Sequence, residues 1–558
     1  MVSAGMEWTV RDASRGKKVH LVAIPYPAQG HIVPLMQFCR KITKDEDVMV
    51  TFVNTEHNHA RMLQSQSDQG LETDEEEQGR LESNLRLVGL PGGLPPELHG
   101  DPAHVVAAFE ASENLQAPLE ELLKKMAQKG EPASCIISDV LMSWTQVCAD
   151  RMRIPRIAFW TSSAAVYHVI WHMYILFKQG KPSFKVQDRN FQDSTSEMVS
   201  SIPGLPPMDL NDLPIIVRSD PADFIHRFLC RQLDHMVYAT AMVINTFDEL
   251  ERECLRALPS NFPVPTYAIG PLLPRGSSSS SKTAGPPAPQ MTPGVVPTYV
   301  ETETRKPYLL CRAGIFNEDC SCLDWLDKKQ PGSVVYISFG SIYAMSKEQF
   351  VELVVGLQDS GHDFLWSIRA DFVQGCVSYR ELLPRSFLEC IEDRGMMVSW
   401  VPQLKVLAHE AVGGFLTHCG WNSTLESVVM GVPMLCWPDV GERRTNGRLA
   451  VTTWEVGLDF SNAQKEAAPS GTPVLLIPRV EVRRLIHLLM DPGDETVQQI
   501  RRNAASLRLA AEHALAANGS SAVDWKLFLN HIPRPSLDDS EVYQPTKPET
   551  RQAALVAT

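Results

Sequence analysis

The sequence predicts an α/β protein built as two doubly wound halves, and three observations carry that prediction. Short apolar runs rich in branched residues recur along the chain, as strands buried on both faces of a parallel sheet require. Tight, glycine-containing loops and helical stretches alternate with these runs. One composition break, near residue 271, divides the series into two.

The first half opens with Val19–Tyr26 (VHLVAIPY) as a strand, broken at Pro27, Gln29 and Gly30. A helix over Ile32–Ile42 and a strand over Val48–Val53 follow. Residues 65–84 are polar and acidic and read as a solvated loop. Further strands are expected at Cys135–Ser138, Ile157–Phe159 and Met242–Ile244, and a buried helix over Thr161–Phe177. From residue 271 to about 318 the chain holds five consecutive serines and many Gly and Pro residues, a composition unable to bury enough apolar surface to fold. The second half offers strands at Val334–Phe339, Phe364–Ile368, Met396–Val401, Gly414–Thr417 and Pro433–Trp437, with helices such as Lys347–Gln358 and Thr424–Met430 between them.

Composition excludes several classes. The 558 residues are 44% hydrophobic and 21% charged, as in ordinary globular proteins, against wholesale disorder, collagen or a disulfide miniprotein. The net charge of −14 argues against a role in binding nucleic acid through its phosphates. No run of about 20 apolar residues is present, so no transmembrane segment is expected. The N-terminus lacks the apolar core of a secretory signal. The 12 cysteines include no paired CxxC spacing for zinc, and read as free thiols of a cytoplasmic protein.

The chemistry concentrates after Trp400. Gly414–Thr417 reads as a strand ending at His418, Cys419 to Asn422 as a turn, and Ser423 as the opening of a helix. Such a turn aims unpaired N–H groups and the positive end of a helix dipole at one point, which suits a phosphate. Gly420 permits close backbone approach, and Asn422 and Ser423 can add donors. Glu426, three residues after Ser423, shares its helix face and can accept hydrogen bonds from a ribose diol. Trp400 presents a flat face for a base, although a single Trp after a strand also fits a core position.

The 44-residue stretch from Trp400 to Arg443 resembles the signature box of plant-type UDP-dependent glycosyltransferases, a family with the two-domain GT-B fold. Ile202–Pro206, Ile244–Glu249, Ile269–Leu272, Leu323–Asp327, Phe339–Ser341 and Gly519–Ser521 look like further family landmarks. The resemblance implies two Rossmann-like domains facing a central cleft. It assigns acceptor binding to 17–270, a flexible linker to 271–318 and UDP-sugar binding to 319–518. A terminal helix over 519–535 would cross back to the N-terminal domain, and 536–558 would form a disordered tail. It further implies that Trp400 stacks on the uracil, that Gln403 sits by the uridine, that Glu426 holds the ribose and that Val401 also belongs to the UDP-sugar site. Ser341, His418, Asn422 and Ser423 would hold the diphosphate, with Gly420 also in the UDP-sugar site, and Trp421 and Glu442 would contact the sugar.

Catalysis needs a base for the acceptor hydroxyl and stabilisation of the departing UDP. His31, just past the first strand, projects toward the crevice at the sheet's carboxyl edge. The family places its base at this Gly-His, with a proline three residues on, here Pro34. Asp139 is the expected orienting partner, an N-cap being the plainer role for an Asp there. The implied reaction is a direct displacement that inverts an α-linked donor to a β-glycoside. Helix dipole, donors and His418 would replace a metal; no metal or other cofactor is expected, and no DxD motif stands out. Arg443 departs from the family's usual Gln. It can turn to solvent, pair with Glu442, favour a carboxylate donor such as UDP-glucuronate, or weaken the donor site; glucose is the donor expected first. The acceptor is expected to be a small lipophilic hydroxylated molecule, held near Phe159, Trp160 and Leu94–Leu98 by a monomeric enzyme. The rival reading is a catalytically weak sugar-nucleotide-binding homologue.

Overall fold

A computed structural model describes residues 18–67, 84–92, 105–180, 198–199, 202–214, 217, 223–258, 262, 264–273, 314–439, 441–460 and 476–533. Two parallel sheets organise them. The N-terminal sheet has seven strands: β1 Val19–Ile24, β2 Val48–Thr55, β3 Leu85–Leu90, β4 Cys135–Asp139, β5 Arg156–Trp160, β8 Ala241–Ile244 and β9 Thr266–Ala268, in the order β3-β2-β1-β4-β5-β8-β9. A small antiparallel pair, β6 Met198–Val199 and β7 Met208–Asp209, lies apart from it. The C-terminal sheet has six: β10 Val334–Ser338, β11 Asp363–Ser367, β12 Gly395–Val398, β13 Val412–Thr417, β14 Met434–Cys436 and β15 Gly457–Asp459, in the order β12-β11-β10-β13-β14-β15.

In each sheet the first strand is central and the order reverses beside it, between β1 and β4 and between β10 and β13. A crevice opens at such a switch point, outside the carboxyl ends of the strands. Every residue of β1, β4, β5, β10 and β13 is buried, which explains why they read as continuous apolar runs. β3, β9 and β15 were not legible in that way: they are edge or near-edge strands with partly exposed residues, and their short runs carry little apolar signal.

Element ends differ where tertiary contacts decide. The first helix spans Gln29–Ile42, so His31 sits in its first turn. The helix after β13 spans Trp421–Met430 with Gly420 as N-cap, two residues earlier than a start at Ser423. β12 ends at Val398, leaving Trp400 and Val401 in the loop at the carboxyl edge. The expected loop over 65–84 begins inside the helix Glu56–Ser67 and ends at Asn84, which is buried; 68–83 lie outside the described residues.

The expected linker is packed at both described ends: Leu272 and Ile315 both lie in the N-terminal core, beside β1 and the first helix. Residues 274–313 and the tail 536–558 lie outside the described residues. The helix Ser520–Leu529 rests on the N-terminal sheet, where Phe528 and Trp525 pack on Phe38 and Asp524 accepts the Ala268 N–H at 2.8 Å.

One apolar cluster runs unbroken from Tyr167 and Phe247 in the N-terminal half to Trp421, Trp454 and Phe415 in the C-terminal half. Hydrogen bonds stitch the same seam: Trp421 Nε1 donates to the Asn245 carbonyl at 2.8 Å and Trp454 Nε1 to the Leu250 carbonyl at 3.0 Å. Glu251, buried, accepts the Ala164 and Ala165 N–H groups at 2.8 and 2.9 Å and so caps the helix Ala164–Lys178. Among the described residues no helix is long and apolar enough to cross a membrane.

Candidate active site

The two switch points face each other, and the N-terminal one carries a histidine–aspartate pair. His31 Nδ1 lies 2.6 Å from Asp139 Oδ2, at the end of β4, and 3.0 Å from the Thr161 hydroxyl, just past β5. With Nδ1 engaged by a carboxylate, the tautomer this network selects carries its proton on Nδ1 and leaves the Nε2 lone pair free. The Asp139 carboxylate divides its work: Oδ1 accepts the Leu141 N–H at 2.8 Å, capping the 3-10 turn Val140–Met142, while Oδ2 holds the imidazole. The N-cap role and the orienting role therefore coexist. Burial alone would lower the His31 pKa, but the charge and hydrogen bond of Asp139, together with Glu442 across the cleft, outweigh it and hold the pKa above the usual histidine value.

Pro34 contributes through what it lacks. It has no N–H, so the carbonyl of Gly30, four residues back, has no helical partner from it. That carbonyl instead accepts a hydrogen bond from Asn422 Nδ2 at 2.8 Å. The turn bearing His31 is thus latched directly to the first turn of the helix Trp421–Met430.

On the C-terminal side, Gln403 gathers the residues expected at a nucleoside. Its carboxamide accepts from the Tyr336 hydroxyl at 2.8 Å and donates to Ser423 Oγ at 2.9 Å and to Glu426 Oε2 at 2.5 Å. Burial pushes the Glu426 pKa up to about 7, against the opposing hydrogen bond from Gln403. Trp400 stacks on Phe316 with centroids 4.4 Å apart, and Val401 beside it is buried.

His418 is wedged between two glycines. A Cβ on Gly340 or on Gly420 would fall 2.5 Å from its Nε2, so both positions are restricted to glycine; Gly340 also has φ +70°. Gly420 therefore makes room first for the imidazole. Ser341 follows Gly340 in the same turn after β10. Burial lowers the His418 pKa well below the usual value, and the charges of Arg443 and Arg369 lower it further. That shift favours the neutral imidazole, so hydrogen bonding is what His418 can offer here. The cations here are Arg369, whose guanidinium donates to the Gly340 and Tyr343 carbonyls at 2.7 and 3.1 Å, and Arg443. Among the described residues no group of three or more His, Cys, Asp or Glu side chains stands together as a metal would require.

Three expectations need correction. Arg443 neither turns to solvent nor pairs with Glu442: its Nη1 bonds both oxygens of Asp439 at 2.6 Å in a largely buried pair. The indole of Trp421 is 2% exposed with its N–H committed to Asn245, so the side chain joins the domains and does not face a sugar; only its backbone N–H, at the helix start, remains for one. Phe159 is wholly buried against Phe38, and Trp160 donates to the Ser163 carbonyl, so both are core. Leu94–Leu98 lies outside the described residues. The aromatic rings near the base are Tyr26, 5.2 Å from His31 edge to face, and Phe109, 5.5 Å from Tyr26. Thr161, Asp439, Arg369 and Phe316 were not read as site residues. Only the position of Thr161 and Arg369 just after a strand could have signalled them.

Comparison with known proteins places this geometry. Residues 17–203 match the family described as glycosyltransferase, N-terminal domain, and residues 318–466 match UDP-glucoronosyl and UDP-glucosyl transferase. UDP-glycosyltransferase 85A7 of Arabidopsis thaliana is 35% identical, over 92% of this chain and 97% of that protein. (R)-mandelonitrile beta-glucosyltransferase of Prunus dulcis is also 35% identical, over 90% and 95%. Among solved structures, Phytolacca americana UGT2 complexed with UDP-2fluoro-glucose and pterostilbene superposes with a TM-score of 0.67 at 26% identity, covering 92% of this chain and 99% of that one. Two parallel-sheet domains of GT-B type, and relatives matched over nearly their whole length, make this chain a member of the plant UDP-glycosyltransferase family.

Proposed function

We propose that this enzyme transfers glucose from UDP-glucose to a hydroxyl of a small lipophilic acceptor, with inversion, His31 acting as general base. The observation that carries this reading is the 2.6 Å His31–Asp139 contact, latched to the opposite domain through Gly30 and Asn422. The N-terminal half holds the acceptor, with Tyr26 and Phe109 as its apolar wall, and the C-terminal half holds the donor. As the acceptor oxygen bonds to the anomeric carbon, its proton passes to His31 Nε2, and the bond from that carbon to the UDP oxygen breaks. Asp139 stabilises the imidazolium that forms. The departing diphosphate faces the N-terminal end of the helix Trp421–Met430, with Ser341 and His418 as hydrogen-bond partners. Glu426 and Gln403 hold the ribose, and Trp400 with Val401 the base.

Two observations favour a neutral hexose. Relatives carry names such as (R)-mandelonitrile beta-glucosyltransferase and 7-deoxyloganetin glucosyltransferase, and a superposable structure holds UDP-2fluoro-glucose. Asp439 pairs with Arg443, so that guanidinium is not free for a glucuronate carboxylate. The test offers a UDP-sugar panel and a broad hydroxylated acceptor library, with products read by mass spectrometry. β-Glucosides from wild type and none from His31→Ala are expected; a preference for UDP-glucuronate overturns the donor, and near-normal turnover by His31→Ala overturns the base.

A further inference from the structure

The stack at Trp400 does not end with Phe316. The Arg61 guanidinium, from the helix Glu56–Ser67 of the N-terminal half, lies over the Phe316 ring 4.7 Å from its centroid, and Phe316 lies on Trp400 at 4.4 Å with 24° between planes. We propose that Phe316 is the fixed backing of the nucleotide-base seat: with Arg61 behind it, it sets the plane of Trp400 so that the uracil of a nucleoside diphosphate stacks on the opposite indole face. This rests on the reading of Trp400 as the base platform and adds two positioning residues to it.

Fixity is the decisive point, because a ring free to leave could equally be a plug in the base's place. The segment carrying Phe316 is tied on both sides. Before it, the Ile315 N–H donates to Gln29 Oε1 at 2.9 Å and the Ile315 side chain is buried in the N-terminal core. After it, the Asp319 N–H donates to the Trp400 carbonyl at 2.8 Å. Gln29 opens the helix that carries His31, so one short strap joins the base's helix, the stack and the donor side. With Arg61 and Phe316 already resting on Trp400, the indole is oriented before the nucleotide arrives, which favours binding by lowering its ordering cost.

The experiment titrates UDP by calorimetry into wild type, Phe316→Ala, Phe316→Tyr and Arg61→Ala, and measures competition by inorganic pyrophosphate, which has no base. Phe316→Ala is expected to weaken UDP about 3- to 10-fold, the range of one aromatic stacking contact, with pyrophosphate unchanged. Phe316→Tyr restores UDP binding, and Arg61→Ala weakens it about 2- to 4-fold. Tighter UDP binding by Phe316→Ala makes the ring a plug and overturns the proposal. Equal losses for UDP and pyrophosphate, or no loss of either, overturn it as well. Wild type that does not bind UDP refutes the platform reading instead.

Discussion

Two histidines stand at the two switch points, His31 partly exposed and His418 buried, and they are driven in opposite directions. His31 faces Asp139 and Glu442, and its pKa is raised; His418 faces Arg443 and Arg369, and its pKa falls far below the ordinary value. Desolvation disfavours the cation at both, so it cannot by itself account for the opposite directions. The sign of the surrounding charge does. An imidazole among carboxylates can take a proton and keep it through a transition state, whereas one among guanidiniums stays neutral and offers only hydrogen bonds.

The sharpest way to break this contrast is to remove one ring at a time. His31→Ala should lose about 10²–10⁴-fold in kcat, or about 3–5 kcal/mol of barrier, while retaining UDP affinity by calorimetry. His418→Gln should weaken donor binding by only about 10-fold, the scale of one hydrogen bond, seen as a raised KM for UDP-glucose. Comparable kcat losses in the two variants would erase the distinction.

Charge reversal sharpens it further. The base must be neutral to act, so kcat/KM should rise with pH through the folded His31 pKa, at a midpoint above about 6.5. Asp139→Asn removes the group that raises that pKa, so the midpoint should move down while the rate falls. A midpoint that stays put would detach Asp139 from His31.

Glu426 extends the comparison to a carboxylate whose pKa burial lifts to about 7. Its ionised form is the better acceptor for ribose hydroxyls, so UDP affinity should increase as pH rises through about 7 and flatten in Glu426→Gln. The smallest expected effect concerns Asp439→Asn, which unpairs Arg443. Its ratio of UDP-glucuronate to UDP-glucose turnover should rise several-fold; an unchanged ratio would mean that the pair does not screen the donor sugar.

The site was legible wherever chain neighbours create it. The strand–turn–helix at Gly414–Met430 is encoded within a few consecutive residues, and His31 and Asp139 each end or follow a buried apolar run. Partners supplied from elsewhere in the fold were hidden. Nothing around residue 439 announces that its carboxylate will neutralise Arg443, and the Trp421 indole reads as a cleft residue until Asn245, 176 positions away, takes its N–H. Gly420 was understood as room for a ligand, whereas His418 occupies the space that a Cβ would fill.

What the sequence determined by itself is local: periodicity, turn chemistry and the order of strands and helices, because each depends on residues within a few positions of one another. It also determined which chemical groups the chain brings to the sheet edges. Only the tertiary structure decided which groups face which, and therefore which histidine stands beside a carboxylate, which carboxylate pairs with Arg443 and which aromatic ring lies on Trp400. Those outcomes depend on distances across the two sheets and on water excluded between them, and a Coulomb field in a buried cleft is set by neighbours in space, whatever their separation along the chain.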